Sequence, residues 1–337
     1  MHIARAACAP DRAGWPRLIG DIGGTNARFG WLEKPGAPLS ETYVMACAEL
    51  QGIAQGLRHY LTKHVLPTPE SAVLAVASPV SGDSVAMTNL AWRFSIEELR
   101  VELGLQRLMV LNDFTALALA IPQLPASSFI ALGPGNFNAL GPIGVLGVGT
   151  GLGVSGLLRA PGFPGRWVPI MGEGGHVTLA AETELEFSVI KYFSQRYGHV
   201  SAERVLSGAG LVDLHYFLNR EFDKVEPTLN SAADVLALGL QQERGAASLA
   251  LELFCAWLGS VAGNLALTLG ALGGIYIGGG IAPRMREFLP RSAFRQRFVG
   301  KGRFERYLAA IPSWLIDTPV LPTLEGAALA LEWEYAS

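Results

Sequence analysis

Cysteine is scarce and scattered: Cys8, Cys47 and Cys255 stand far apart with no C-x-x-C spacing. That excludes a disulfide framework and a zinc site built on paired cysteines, and it suits a reducing, cytoplasmic setting. An excess of one charge is missing too. Lys plus Arg is 26 and Asp plus Glu is 29, a formal net charge of −3, so nothing points to a nucleic-acid partner or an anionic membrane surface. Charged residues are only 16% of the chain against 50% hydrophobic, a balance that excludes extended disorder and supplies a large core. Residues 1–17 carry scattered Arg and Asp and no apolar h-region, and read as a loose tail rather than a secretory signal. A length of 337 residues favours two domains over one.

One long uncharged run does occur, LFCAWLGSVAGNLALTLGALGGIYIGGGI between Glu252 and Arg284, and it is long enough to span a bilayer. The Gly259 to Gly263 spacing even copies a transmembrane dimer motif. Asn264 in its middle, the break at Gly273-Gly274 and the strand-like end argue otherwise, because strand backbone would go unsatisfied in lipid. The run is expected to be a buried helix, Ala246 to Leu272, feeding a buried strand.

The chain is organised around Leu18 to Leu32, LIGDIGGTNARFGWL, which predicts two strands joined by a glycine turn. Gly23-Gly24 frees the backbone to approach a ligand closely, and exposed amides there suit a phosphate. Thr25 and Asn26 add neutral donors, Arg28 a cation, and Asp21 a carboxylate that can reach a metal ion accompanying a nucleotide. Further on, strands are expected over Glu41–Cys47, Ser71–Ala77 and Leu108–Leu111, with a helix over Leu50–Val65. Another helix is expected to start at Ser95 with Glu97 and Glu98 in its first turn. The Leu108–Leu111 strand delivers Asn112-Asp113 at its carboxyl end, where open α/β sheets place ligand chemistry. A helix over Thr115–Ala120 follows.

A near-copy of the first hairpin lies at Ile143 to Leu158, with Gly149-Thr150 matching Gly24-Thr25 and no acidic residue in the place of Asp21. Gly151, Gly153 and Gly156 also satisfy the dinucleotide spacing G-x-G-x-x-G. A Rossmann turn must open a helix, however, and Pro161, Gly162, Pro164 and Gly165 permit a hairpin only. Next, Gly172-Glu173-Gly174-Gly175-His176 sets a carboxylate and an imidazole in a thin glycine loop, suited to hydrogen-bonding a polyhydroxylated substrate. Thr183–Tyr197 reads as an amphipathic helix with Glu182, Glu184 and Glu186 on its solvated face. Ser201 is a candidate N-cap that would place Glu203 in a first turn. Helices are expected over Leu211–Leu218 and Ser231–Leu240, with a polar connection holding Pro227 between them. Ile275 to Gly280 is expected to be a strand opening into Gly278, Gly279 and Gly280, a shape open to two readings, a flat base or ribose lying on the backbone or, for Gly280, helix–strand packing alone. Lys301–Leu308 reads as a solvated or subunit face, and Glu325–Glu334 as a closing helix.

Taken together, GDIGGTNAR, MTN at Met87–Asn89, NDFTALALAIP, GTGLG, GEGGH, GHVSAERVLSG and GGIYIGGGIAPR followed by KGRF resemble the bacterial glucokinase family of hexokinase-like sugar kinases. The resemblance implies an α/β chain of two related RNase H-like domains, the actin-like ATPase fold, flanking a cleft. It implies a smaller domain of residues 1–123 with 317–337 and a larger one of 124–316. It also implies ATP-dependent phosphorylation of glucose to glucose 6-phosphate, Mg²⁺, a cytoplasmic setting and a homodimer. By resemblance Asp113 is the general base, and Asn112, Glu173, His176 and Glu203 bind the sugar. Gly20, Asp21, Ile22, Gly23, Gly24 and Thr25 form the first phosphate element, with Asp21 a candidate Mg²⁺ ligand. Thr150-Gly151 forms the second phosphate element, and Gly278, Gly279 and Gly280 the adenosine-side motif. Thr323-Leu324-Glu325-Gly326 departs from the glycine-rich stretch expected before the last helix. Another hexose, another phosphoryl donor or a non-catalytic sugar-responsive regulator are the alternatives. A DNA-binding regulator would need a helix-turn-helix ahead of the first hairpin, where residues 1–17 leave no room for one.

Overall fold

The computed structural model describes residues 2–5, 14–161, 165–223, 229–242 and 244–334. Cys8, Pro227 and the residues 162–164 of the expected turn lie outside them. The chain divides into two units, Met1–Leu124 with Pro319–Ser337, and Pro125–Thr318.

In the first unit β1 (His2–Arg5), β2 (Arg17–Ile22), β3 (Asn26–Leu32), β4 (Ser40–Ala46), β5 (Ser71–Val76) and β8 (Arg107–Asn112) form one sheet in the order β1-β8-β5-β2-β3-β4. A small hairpin of β6 (Ser84–Ala86) and β7 (Arg93–Ser95) stands apart from it. The central strands β2, β5 and β8 run parallel. SAVLAV of β5 is buried at every position, the unbroken apolar run that a strand covered on both faces requires. Helices α1 (Ile53–Lys63), α2 (Ile96–Glu102) and α3 (Asp113–Ala120) follow strands, and the C-terminal helix Pro322–Glu334 packs on α3. As expected from the sequence, Ser95 caps α2 by accepting from the Glu98 amide, with Glu97 and Glu98 in the first turn.

The second unit repeats the plan. Strands β9 (Phe129–Gly133), β10 (Ile143–Val148), β11 (Leu152–Arg159), β12 (Trp167–Gly172), β13 (Ile275–Gly278) and β14 (Ser313–Ile316) form a sheet in the order β12-β11-β10-β13-β14-β9. Each sheet has an antiparallel hairpin, two parallel additions and a last antiparallel strand contributed by the segment before the hairpin. The internal repeat seen in the glycine turns is therefore a repeat of the whole sheet.

Around this second sheet lie α4 (Glu184–Tyr197), α5 (Ala202–Val205), α6 (Gly208–Leu218), α7 (Ala232–Gln241), α8 (Ala246–Leu269), α9 (Phe294–Val299) and α10 (Glu305–Ala309). By length and composition α8 could cross a membrane, but 83% of its apolar window is buried inside the unit. Its Gly259 and Gly263 lie against the backbone carbonyls of Phe294 and Phe298 on α9, so the small-residue spacing serves helix packing within the core.

Two expectations are corrected. Residues 2–5 of the supposed loose tail form β1, pairing His2 with Val110 through Arg5 with Arg107, because the edge of β8 offers backbone groups that any extended segment can satisfy. Glu186 is not on a solvated face. Its side chain is 1% exposed and takes the guanidinium of Arg297 at 2.6 and 3.2 Å, while its Oε2 also accepts from the Thr183 amide to complete a capping box with Thr183. Periodicity shows which helix face is polar, but not that a cation from another helix will neutralise it.

Candidate active site

The first unit gathers its candidates at one sheet edge. In the ladder, Ile22, Val76 and Asn112 are paired in one row, so the carboxyl ends of β2, β5 and β8 bring together the Gly23–Thr25 turn, Ala77-Ser78 and Asn112-Asp113. The turn is closed by the Gly23 amide donating to the Asn26 carbonyl at 2.9 Å, and its tip is tied down by the Cys47 amide on Thr25 O at 2.8 Å. Cys47 Sγ also donates to Gly23 O at 3.4 Å, and burial pushes that thiol above its ordinary pKa. A Cβ on Gly24 would come 2.9 Å from Asn89 Cβ, so the Met87-Thr88-Asn89 segment lies against the turn. Gly20 and Ile22 stand inside β2 rather than at the tip. A Cβ on Gly20 would meet Leu74 at 2.6 Å, and the Ile22 carbonyl accepts from the Ala77 amide.

Asp21 is 9% exposed and faces Arg28 across the hairpin, Nη1 to Oδ2 at 3.0 Å. Burial raises its pKa, and the guanidinium opposes that shift. Among the described residues no cluster of three or more His, Cys, Asp or Glu could hold a metal by itself. The lone Asp21 carboxylate instead suits Mg²⁺ brought by a nucleotide, since that ion is commonly held by one or two carboxylates, phosphates and water.

Asn112 does more than its sequence position suggests. It is the N-cap of α3, its Oδ1 accepting from the amides of Phe114 at 2.9 Å and Thr115 at 3.2 Å. Its Nδ2 donates to Asp113 Oδ1 at 3.1 Å and to the Ser78 carbonyl at 3.5 Å. The Phe114 amide also donates to Asp113 Oδ1 at 2.9 Å. Asp113 is thereby fixed as a half-buried carboxyl at a helix N-terminus, where the backbone dipole favours negative charge. Ser78, which carries no motif in the sequence, is buried; its Oγ accepts from the Thr88 amide at 2.7 Å and lies 3.2 Å from Thr88 Oγ1. That hydroxyl stitches the end of β5 to the Met87–Asn89 segment. The motif was visible; its partner was not.

The second unit collects the remaining candidates. Val148 pairs with Leu152 across the Gly149-Thr150-Gly151 turn, and β13 lies beside β10 with Gly278 opposite Gly147. Gly151, Gly153 and Gly156 therefore belong to a hairpin, and the dinucleotide alternative is excluded because no helix opens there. Gly279, at φ +90°, passes so close to the Val148 backbone that a Cβ would collide with it, whereas the space around Gly280 is open. The Ile281 amide donates to Val148 O at 3.0 Å. Glu173 and His176 are exposed on their loop, whose Gly174 and Gly175 press against Val154 and the Leu152 carbonyl of β11. The 177–179 and 199–202 segments run side by side, through a Thr178–Ser201 bridge and the Ala202 amide on Val177 O at 2.9 Å. That pairing sets Glu203 near the Glu173–His176 loop. Ser201 makes no side-chain cap bond, and the Glu203 carboxylate does not cap its own helix; it accepts the Leu152 amide at 2.9 Å.

The glucokinase family model matches residues 18–334. The chain belongs to the glucokinase family. It is 49% identical to the glucokinase of Aromatoleum aromaticum over 94% of this chain and 95% of that protein. Its structure is similar to that of a glucokinase from an Antarctic psychrotroph, with TM-score 0.80, 36% identity, and 94% of this chain and 98% of that one covered. A ROK-family glucokinase from Streptomyces griseus, in complex with glucose and AMPPNP, shares the fold at TM-score 0.62 and 17% identity, covering 94% of this chain and 99% of that one. The fold is thus the actin-like ATPase fold, and the activity is that of a sugar kinase phosphorylating glucose.

Proposed function

We propose that the enzyme transfers the γ-phosphoryl group of ATP to the 6-hydroxyl of glucose, with Asp113 as general base. The observation that carries this reading is the row Ile22–Val76–Asn112, which sets an oriented carboxylate beside a glycine turn suited to phosphate. Glucose and AMPPNP bound to the Streptomyces griseus relative support the choice of acceptor and donor.

In this reading Glu173, His176 and Glu203 bind sugar hydroxyls, and Asn112 joins them by exchanging its long 3.5 Å bond to Ser78. Asp113 accepts the proton as the 6-hydroxyl attacks. Thr150-Gly151 and Gly24-Thr25 supply amides to the phosphates while Gly23 closes its turn on Asn26, and Gly278, Gly279 and Gly280 form the adenosine side. Asp21 would hold Mg²⁺, and the ion would supply neutralising charge to the phosphates. Because positioning dominates phosphoryl transfer, sugar-induced closure of the two domains completes the site and withholds ATP from water. The homodimer is supported by the edge strand β12, which leaves Val168 46% and Met171 55% exposed. A cytoplasmic setting is supported by the free, buried Cys47 and Cys255.

A coupled assay tests the assignment. Asp113→Ala should lower kcat about 10²- to 10⁴-fold with KM for glucose changed far less. Near-normal turnover would refute it, and brisk ATP hydrolysis indifferent to added glucose would refute closure.

A further inference from the structure

Leu152 is a meeting point. Its amide donates to Glu203 Oε2 at 2.9 Å, its carbonyl lies against the Gly175 backbone of the Glu173–His176 loop, and it closes the Gly149–Gly151 turn opposite Val148. The same carboxylate occupies the space a Cβ on Gly151 would take. The turn is held from its other side by the Gly208 amide on Gly149 O at 2.8 Å. The amides of Thr150 and Gly151 make no hydrogen bond among the described residues, so these are the donors left for a phosphate.

We propose that Glu203 couples sugar binding to phosphate binding, one oxygen anchoring the phosphate turn through Leu152 while the other takes a glucose hydroxyl. This rests on the sugar assignment above. A hydroxyl donated to Oε1 draws charge from the carboxylate beside the turn and fixes its position, so both the field and the geometry offered to a phosphate change with sugar occupancy. Linkage makes the effect reciprocal: nucleotide tightens glucose by the factor by which glucose tightens nucleotide. Glu203 is in this respect a positioning residue for the nucleotide, and Gly151 is glycine because the anchoring carboxylate needs the room.

Steady-state kinetics and glucose titration of the full chain test this. Glu203→Ala should raise KM for both glucose and ATP about tenfold or more. Glu203→Gln, whose amide oxygen can still accept from Leu152, should raise KM for glucose but keep KM for ATP within about threefold. Gly151→Ala, measured by calorimetry with glucose and no nucleotide, should weaken sugar binding about fivefold or more by displacing the carboxylate. KM for ATP within twofold of wild type in Glu203→Ala overturns the coupling, whatever becomes of glucose. A raised KM for ATP with an unchanged KM for glucose overturns it by removing the sugar role while leaving the anchor. Should Gly151→Ala fail to fold, the two Glu203 variants decide alone.

Discussion

Asn112 carries two separable duties, and two substitutions pull them apart. Its Oδ1 takes two helix amides at 2.9 and 3.2 Å, and its Nδ2 holds Asp113 Oδ1 at 3.1 Å. Asn112→Ala removes both; loss of the cap should cost about 1 kcal/mol of stability. Asn112→Asp keeps an N-cap of equal quality but replaces the donor facing Asp113 with a second anion. At 3.1 Å, Coulomb repulsion at an effective dielectric near 20 has a ceiling of about 5 kcal/mol. After the side chains relax, about 1–3 kcal/mol should remain as a penalty on the folded state while both carboxylates are ionised, and displacement of Asp113 by its new neighbour should lower kcat about 5- to 150-fold. The assay is kcat at saturating glucose and ATP alongside a thermal melt. Asn112→Asp should turn over slowly and melt closer to wild type at pH 5 than at pH 8, where both carboxylates are ionised, while Asn112→Ala should melt lower at both pH values. Wild-type turnover in Asn112→Asp would refute the claim that this amide orients Asp113 for the proposed proton transfer.

Further outcomes concern the frame around the site. Glu186→Ala leaves Arg297 with Glu182 at 3.0 Å but without its buried partner and without the capping box, and should lower urea-unfolding stability by about 2–4 kcal/mol; an unchanged midpoint would contradict the buried pair. Gly326→Ala should destabilise, because the Cβ meets the Ala116 carbonyl on α3, although helix propensity alone predicts a gain of about 1 kcal/mol; a higher melting temperature would refute the close crossing. Arg28→Met removes the cation that opposes the burial-raised pKa of Asp21. A carboxylate whose folded pKa is raised costs stability while ionised, and the cost fades as pH falls through that pKa. The variant's melting deficit should therefore be larger at pH 8 than at pH 5, and a deficit independent of pH would show that Asp21 does not depend on Arg28.

Much of this was legible in the sequence, for identifiable reasons. Continuous apolar runs such as Ser71–Val76 and the paired glycine turns declare buried strands and hairpins locally. Asn112-Asp113 stood out because a strand ending in polar residues is a local pattern. The Glu203–Leu152 bond was invisible because its partners are 51 residues apart and one of them is a backbone amide, which leaves no mark on composition. Glu186 misled for the same reason, its cation lying 111 residues away. Within the departure at Thr323–Gly326, the one glycine present, Gly326, serves the crossing of the last helix with α3.

The sheet that occurs twice supplies an internal control. Wherever the matching strands differ in kind, ancestry no longer explains the residue and its present task must. Asp21 has the fully buried Leu146 as its counterpart, and the Glu173–His176 loop follows a strand, β12, whose twin β4 leads instead into Cys47–Glu49. Exchanging counterpart segments between the two sheets would therefore be a direct way to ask which task each copy performs.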